Sequence, residues 1–287
     1  MSNMSLSFPL VKPPPGLVVV SYGGGVNTIA MLVLLRRMRV APKAIVMADP
    51  GSERRGTVAY RDEVLPPWLV SHGFPLVTVV TRVEEGARRD RAWRLETLYE
   101  ECMRLKSLPS VAYGWKKCSR VYKALPQLWW IQRQKWAQKE WSEERKIVKA
   151  IGYDVDESRR VRPTFQDPWE NDRFVPWYPL HAAGFSREDC ERMIAEEGLP
   201  SPGKSACTFC PNNTLEEWEA LRVDEPDRFA EAVAMSRAAA PTIESPDVVG
   251  LMRCNPPGKR QLHVYVEGGY GATDGGREDD MPCECSL

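Results

Sequence analysis

Three groups of residues in this 287-residue chain have the types and spacing to do chemistry. The first is Ser21 to Thr28, Ser-Tyr-Gly-Gly-Gly-Val-Asn-Thr, which closes a short β-branched run, Leu17 to Ser21. Gly23, Gly24 and Gly25 let backbone N–H groups turn inward on an anion, and a helix opening there adds the positive end of its dipole. Ser21 or Thr28 can give a hydroxyl to the same oxygens, and Asn27 adds hydrogen-bonding capacity. The layout is a phosphate cradle, with a tight strand-to-helix turn as the plainer alternative. It is not GxGxxG, because the third glycine is missing, and it is not a P-loop, because no lysine follows the glycines.

The second group is Asp49 and Glu53, in Ala48-Asp-Pro-Gly-Ser-Glu53. A carboxylate at the carboxyl end of a second strand meets ligands in an open α/β sheet. Asp49 there can bond an adenosine or help hold Mg²⁺ between phosphates, and Glu53 can do either or orient a substrate. Asp-Pro-Gly is also turn chemistry.

The third group is the cysteines, eight in all. They are too sparse in a chain of this length for a disulfide scaffold, which points to metal, cluster or redox chemistry. Cys207 and Cys210 form a CxxC that can present two thiolates to one metal, and Cys118 and Cys190 are the nearest candidates to complete four ligands. Four cysteines suit a [4Fe–4S] cluster or a structural Zn²⁺, and small buried cysteines also serve as core filler. Cys283 and Cys285 form a CxC near the C-terminus. Cys102 and Cys254 are scattered.

The elements that must position these groups read as strand, helix, strand, helix, strand. Strands fall at Leu17–Ser21, Ala44–Ala48 and Pro75–Thr81; helices fall at Val26–Arg39 and at Thr57–His72, the latter bent by Pro66-Pro67. A further strand, Ile147–Gly152, follows a long helical region. The spacing predicts an α/β, doubly wound parallel sheet. Asp154–Trp177 reads as an ordered loop over that sheet. Ser186–Asp189 opens a short helix with a capping box that Gly198 ends, and helices follow near Leu215–Arg222 and Pro226–Ala239. Gln261–Val266 reads as a strand, and Gly268–Gly276 as a mobile glycine-rich stretch. The expected organisation is a lead-in over 1–16, a nucleotide-binding domain over 17–180, a helical CxxC region over 181–240 and an irregular tail over 241–287.

Taken together, four segments resemble the PAPS-reductase-like branch of the adenine nucleotide alpha hydrolase-like, or PP-loop, superfamily. Ser21–Thr28 resembles its SGGxDS pyrophosphate loop, with Asn27 and Thr28 where Asp and Ser are commonest. Asp49–Glu53 resembles its A-D-T-G-x-E segment. Lys117-Cys-Ser-Arg120 with Tyr122-Lys123 resembles K-C-S-x-x-Y-K, and Cys207–Pro211 resembles C-x-x-C-P. The resemblance covers roughly residues 17 to 237. It implies an ATP-binding enzyme whose loop grips pyrophosphate at Ser21, Gly23, Gly24, Gly25, Asn27 and Thr28. Asp49 would place the nucleotide or Mg²⁺, and a [4Fe–4S] cluster would sit on the cysteines. Lys117, Arg120 and Lys123 would neutralise the nucleotide or a transferred sulfur group. Arg160, in Arg159-Arg-Val-Arg162, would approach the nucleotide, and Tyr178-Pro-Leu180 with His181 matches a structural Y-P-L segment. Asn27 removes one charge from the family pattern, so nucleotide binding is better supported than cleavage.

Three functions follow from that resemblance. One is ATP cleavage to AMP and pyrophosphate, adenylating a substrate for sulfur transfer to a nucleic acid or small molecule. The others are a sulfonucleotide reductase, for which a tail cysteine would be the nucleophile, and a nucleotide-binding protein without turnover.

Residues 115–146 interleave Trp115, Trp129, Trp130, Trp136 and Trp141 with lysines and arginines. Such a segment can bind a nucleic acid backbone and stack its bases, or pack its tryptophans inward and solvate its cations. Lys plus Arg and Asp plus Glu are 39 each, so net charge argues for neither nucleic acid nor membrane. No apolar run approaches a bilayer span and the N-terminus does not read as a signal peptide, so a cytoplasmic protein is expected. A sulfur donor protein and a homodimer are further expected partners.

Overall fold

The computed structural model describes residues 11–87, 95–243, 248, 250–252 and 261–267. Cys254, Cys283, Cys285 and the Gly268–Gly276 stretch lie outside the described residues.

The chain runs β1 (Val18–Ser21), α1 (Val26–Arg37) and β2 (Ala44–Asp49). Next come α2 (Arg55–Ala59), a π-helical turn over Tyr60–Val64 and α3 (Leu65–Ser71), then β3 (Val77–Thr81) and α4 (Arg82–Ala87). The bend expected at Pro66-Pro67 is taken up by that π turn, where the i→i−4 ladder is already broken, so proline's missing N–H costs little. Next are α5 (Leu98–Leu105), a second π turn over Ser119–Ala124, α6 (Leu125–Gln132), α7 (Lys135–Ser142) and β4 (Ile147–Ile151). The rest is α8 (Pro168–Arg173), β5 (Phe174–Trp177), α9 (Pro179–Ala182), α10 (Arg187–Glu196), α11 (Leu215–Asp224), α12 (Pro226–Ala239) and α13 (Leu262–Glu267).

The strands form one five-stranded sheet in the order β3-β2-β1-β4-β5, and the β1–β2, β1–β4 and β4–β5 pairs are parallel. This is the doubly wound α/β fold, and the strand order reverses between β1 and β4. Ligands of such sheets bind outside the carboxyl ends of the strands at that reversal.

Two expectations are corrected here. Asp154–Trp177 contains α8 and the edge strand β5. Lys149 of β4 is buried on the sheet 3.9 Å from Glu170 of α8 and over the Phe165 ring, which ties the segment down. Gln261–Val266 is not a strand. Leu262, Tyr265 and Val266 fall at helical spacing and pack into an apolar cluster with α12, and His263 Nδ1 lies 2.9 Å from Ser236 Oγ.

The chain divides into two compact units: 1–47, 56–79 and 131–204, then 48–55, 80–130 and 205–287. This division differs from the expected 17–180 and 181–240. In the first unit α1 is buried along nearly its whole length, from Val26 to Leu35, against Val20, Ile45, Val148 and α10. Its last turn shows Arg37 to Glu196 at 3.1 Å and an ion pair between Arg36 and Glu197. In the second unit α5, α11 and α12 bury Leu98, Trp218, Phe229 and Met235 around the Cys207–Cys210 turn.

Candidate functional site

The glycine loop lies where β1 ends, at the strand-order reversal. Ser21 is buried, and Gly24 has a positive φ of 81°, which suits glycine. Gly25 is the N-cap of α1 with no side-chain cap, and no acidic residue stands in the first turn. The Gly23 N–H donates to Thr28 Oγ1 at 3.2 Å. The Thr28 N–H bonds back to Gly25 O at 3.0 Å, which leaves the N–H groups of the two positions before it without an intrahelical acceptor, an arrangement that suits an anion.

Across the reversal, the segment after β4 supplies residues that sequence reasoning missed. Asn27 Nδ2 donates to Asp154 Oδ2 and to Glu157 Oε2, each at 2.9 Å. Asp154 Oδ1 accepts the Glu157 N–H at 3.0 Å, and Arg160 Nη1 donates to Glu157 Oε1. Burial pushes the Glu157 carboxyl up, while Arg160 opposes the shift. The Arg160 guanidinium lies over the Tyr153 ring at 4.2 Å, and Tyr153 stacks on Tyr178 at 5.5 Å. Gly152 is pressed against the loop, and a Cβ there would meet the Asn27 carbonyl oxygen at 2.8 Å. The expected Arg160 is thus brought to the loop through Glu157. The signal for the rest was present: Gly152-Tyr-Asp-Val-Asp-Glu directly follows the strand at the reversal.

Asp49, at the end of β2, accepts the Gly51 N–H at 2.7 Å and so forms the turn its sequence allows. Glu53 is buried, pairs with Lys123 Nζ at 3.2 Å and bridges Cys207 through the backbone. Lys117, half-exposed, pairs with Glu101 at 3.0 Å, and Arg120 is exposed. Glu101 also accepts from the Tyr122 hydroxyl at 2.9 Å, and Tyr122 in turn accepts from Arg82 at 2.6 Å.

Three of the four expected metal ligands come together. Cys118, Cys207 and Cys210 line one cavity of the second unit with Pro50, Ser119 and Lys123. Ser119 Oγ is buried without a hydrogen-bond partner, as is Glu53 Oε2 behind Lys123. Cys190 is not part of this group. It sits fully buried in the first unit among Met193, Ile194 and Val20, and burial pushes its thiol far up. Cysteine there fills core as a small hydrophobe. Cys102 packs in the same apolar cluster as the three, its thiol pushed up to about 12 by burial.

Among the described residues, no group of three or more His, Cys, Asp and Glu converges at the spacing of a single metal ion. A Zn²⁺ site holds each sulfur about 2.3 Å from one point, so the three thiols do not fit it. A four-iron cluster spreads its thiolates over a wider cage, and three soft sulfur donors around one cavity fit that group. The acidic pair beside the loop does not fit Mg²⁺ as arranged, because Asn27 Nδ2 stands between the two carboxylates, 2.9 Å from an oxygen of each.

The 115–146 segment is divided between the two units. Residues 115–130 belong to the second unit and 131–146 to the first. Trp129 is buried, while Trp141 packs edge-on against Trp169 and Phe174 and donates to Arg173 O at 3.1 Å. Arg145 pairs with Glu140 at 2.8 Å. Trp115 alone of the five is largely exposed. No helix among the described residues is long and apolar enough to cross a membrane.

Fold and site define an α/β protein with a glycine loop at the reversal of its sheet and, in its second unit, a thiol-lined cavity. No family model matches the chain and no curated protein matches it. Among solved structures it is similar to a U34-tRNA thiolase, NcsA, from Methanococcus maripaludis with its [4Fe-4S] cluster. The identity is 14% and the TM-score 0.37, covering 79% of this chain and 73% of that one. A TM-score of that size marks a loose likeness.

Proposed function

We propose that this chain is an ATP-binding enzyme that adenylates an acceptor and passes sulfur to it. The observation that carries the reading is the uncapped opening of α1 at the sheet's reversal, with Asn27 and Thr28 in its first turn. Backbone N–H groups of Gly24 to Val26 bind the leaving pyrophosphate, Thr28 adds its hydroxyl, and Arg160 offsets the charge of Glu157 beside them. An acceptor oxygen attacks the α-phosphorus, the α–β phosphoanhydride bond breaks, and pyrophosphate leaves with the electron pair. A sulfide-level sulfur nucleophile then attacks the activated carbon, and AMP leaves with the C–O electrons.

Cys118, Cys207 and Cys210 are the residues that would hold a [4Fe–4S] cluster, which when bound supplies an iron site for sulfur. Around it, Lys123 is held against Glu53 at the cavity wall, and Ser119 contributes a buried hydroxyl. The acceptor is a nucleic acid or a small molecule, and exposed Trp115 beside Lys116 and Lys117 offers a stacking position for a base.

The test is product analysis with ATP. AMP and pyrophosphate in equal amounts support the reading, and ADP with inorganic phosphate overturns it. Sulfite released from a sulfonucleotide would instead place the protein among reductases. Binding of ATP with no product would make it a nucleotide-binding protein without turnover.

A further inference from the structure

The carboxylates beside the loop are arranged as if around a cation, yet an amide nitrogen occupies the position. Asn27 Nδ2 is 2.9 Å from Asp154 Oδ2 and 2.9 Å from Glu157 Oε2. The two remaining carboxylate oxygens accept from the Glu157 backbone N–H and from Arg160. Every carboxylate oxygen of the pair therefore has an N–H donor. The orientation of the amide follows from the same geometry. Turning it would set Asn27 Oδ1 against two ionised oxygens, whereas in the observed orientation Oδ1 is a buried acceptor with no partner.

We propose that the Asn27 amide takes the place of a divalent cation at the Ser21–Thr28 loop, so that this site holds its phosphate ligand without a loop-bound Mg²⁺. The inference rests on reading the loop as a phosphate site. Its physical basis is the charge count. Asp154 and Glu157 against Arg160 leave one net negative charge, and an aspartate at position 27 would make it two, with three carboxylates converging in a partly buried space. Like charges repel there far more than in water, and a cation would be required between them. A neutral amide bonds both carboxylates with its two N–H groups and leaves the backbone N–H groups of the loop to the phosphate.

The experiment uses the full chain, with Mn²⁺ alone followed by electron paramagnetic resonance and inorganic pyrophosphate followed by calorimetry. The wild type is expected to leave the free Mn²⁺ signal unchanged. Its pyrophosphate Kd should agree within about threefold between EDTA and magnesium buffers. Asn27→Asp should gain a Mn²⁺ site. In EDTA it should lose pyrophosphate affinity by about tenfold or more, with recovery in magnesium. Asn27→Ala, which adds no charge, should also gain Mn²⁺ by uncovering Asp154 and Glu157, and it serves where the aspartate variant fails to fold. A wild-type Mn²⁺ site abolished by Asp154→Asn would overturn the inference. So would pyrophosphate binding that requires magnesium, or folded variants that take up no Mn²⁺. Failure to bind pyrophosphate under any condition overturns the phosphate reading of the loop, and the Mn²⁺ comparison still decides the role of Asn27.

Discussion

Gly152 shows how much of the loop's shape is set by an atom that is not there. A methyl group at this position would stand 2.8 Å from the Asn27 carbonyl oxygen and 3.2 Å from the Thr28 nitrogen, both backbone atoms that cannot swing aside. Gly152→Ala should push the loop off its geometry at a cost of about 1–3 kcal/mol. Pyrophosphate affinity should then fall roughly ten- to a hundredfold with the helical circular dichroism retained. A variant that binds as the wild type does would show that the loop tolerates the shift. The cysteines separate at the same scale. On the proposed cluster assignment, Cys118→Ala, Cys207→Ala and Cys210→Ala should each lose the brown colour and bound iron expected of anaerobically purified protein. Cys190→Ala should keep the iron and lose about 1–2 kcal/mol of stability to the cavity it leaves. The sequence showed four thiols without showing which three share a cavity, because ligand grouping is a tertiary property and Cys190 looks identical to a ligand until its neighbours Met193 and Ile194 are seen around it.

Elements with local signals were legible, and those decided by neighbours were not. The capping box at α10 is as its sequence indicates: Ser186 Oγ accepts the Asp189 N–H at 3.2 Å and Asp189 Oδ2 accepts the Ser186 N–H at 2.9 Å. The Asp189 carboxyl is held below its ordinary value, first by the Ser186 backbone N–H and then by its hydroxyl. A carboxylate with a lowered folded-state value stabilises the fold above its unfolded value, and that contribution is lost as pH falls through the folded one. The stability difference between wild type and Asp189→Asn should therefore hold near neutral pH and shrink as pH falls below the ordinary aspartate value of about 3.9 in urea melts. A constant difference would assign the effect to the box's geometry alone. By contrast β5 is short and carries Pro176, which reads against a strand, and only its place at the sheet edge makes that proline acceptable. The α13 segment is rich in residues that favour strands, and its packing on α12 overrides that preference. Asp154 and Glu157 needed the sheet order before their place opposite Asn27 had meaning.

At the scale of the whole molecule, the two candidate sites fall in different units. The loop with Gly152, Asp154, Glu157 and Arg160 is in the first, and the thiol cavity with Glu53 and Lys123 is in the second. No hydrogen bond or ion pair described above is shared by the two sites, and substitutions that share no partner act independently. Gly152→Ala should leave the iron content of the purified protein unchanged, and Cys207→Ala should leave the pyrophosphate Kd within about twofold. Cross-effects of tenfold in either direction would show that the two sites report on one another. Glu53 and Cys207, adjacent through the backbone, should instead couple strongly, a relation that a double-mutant cycle reads directly.

The interleaving of the two units also sets an order of assembly. The thiol cavity draws its walls from residues 48–55, 80–130 and 205 onward, so Cys118 is made well before the turn that carries Cys207 and Cys210. At typical elongation rates the interval is roughly 5–20 s. During that interval the ribosome-bound chain can complete neither wall nor ligand set. On the proposed cluster assignment, the ligand set is complete only once Cys210 has been made, so iron could be taken up only after that point in synthesis.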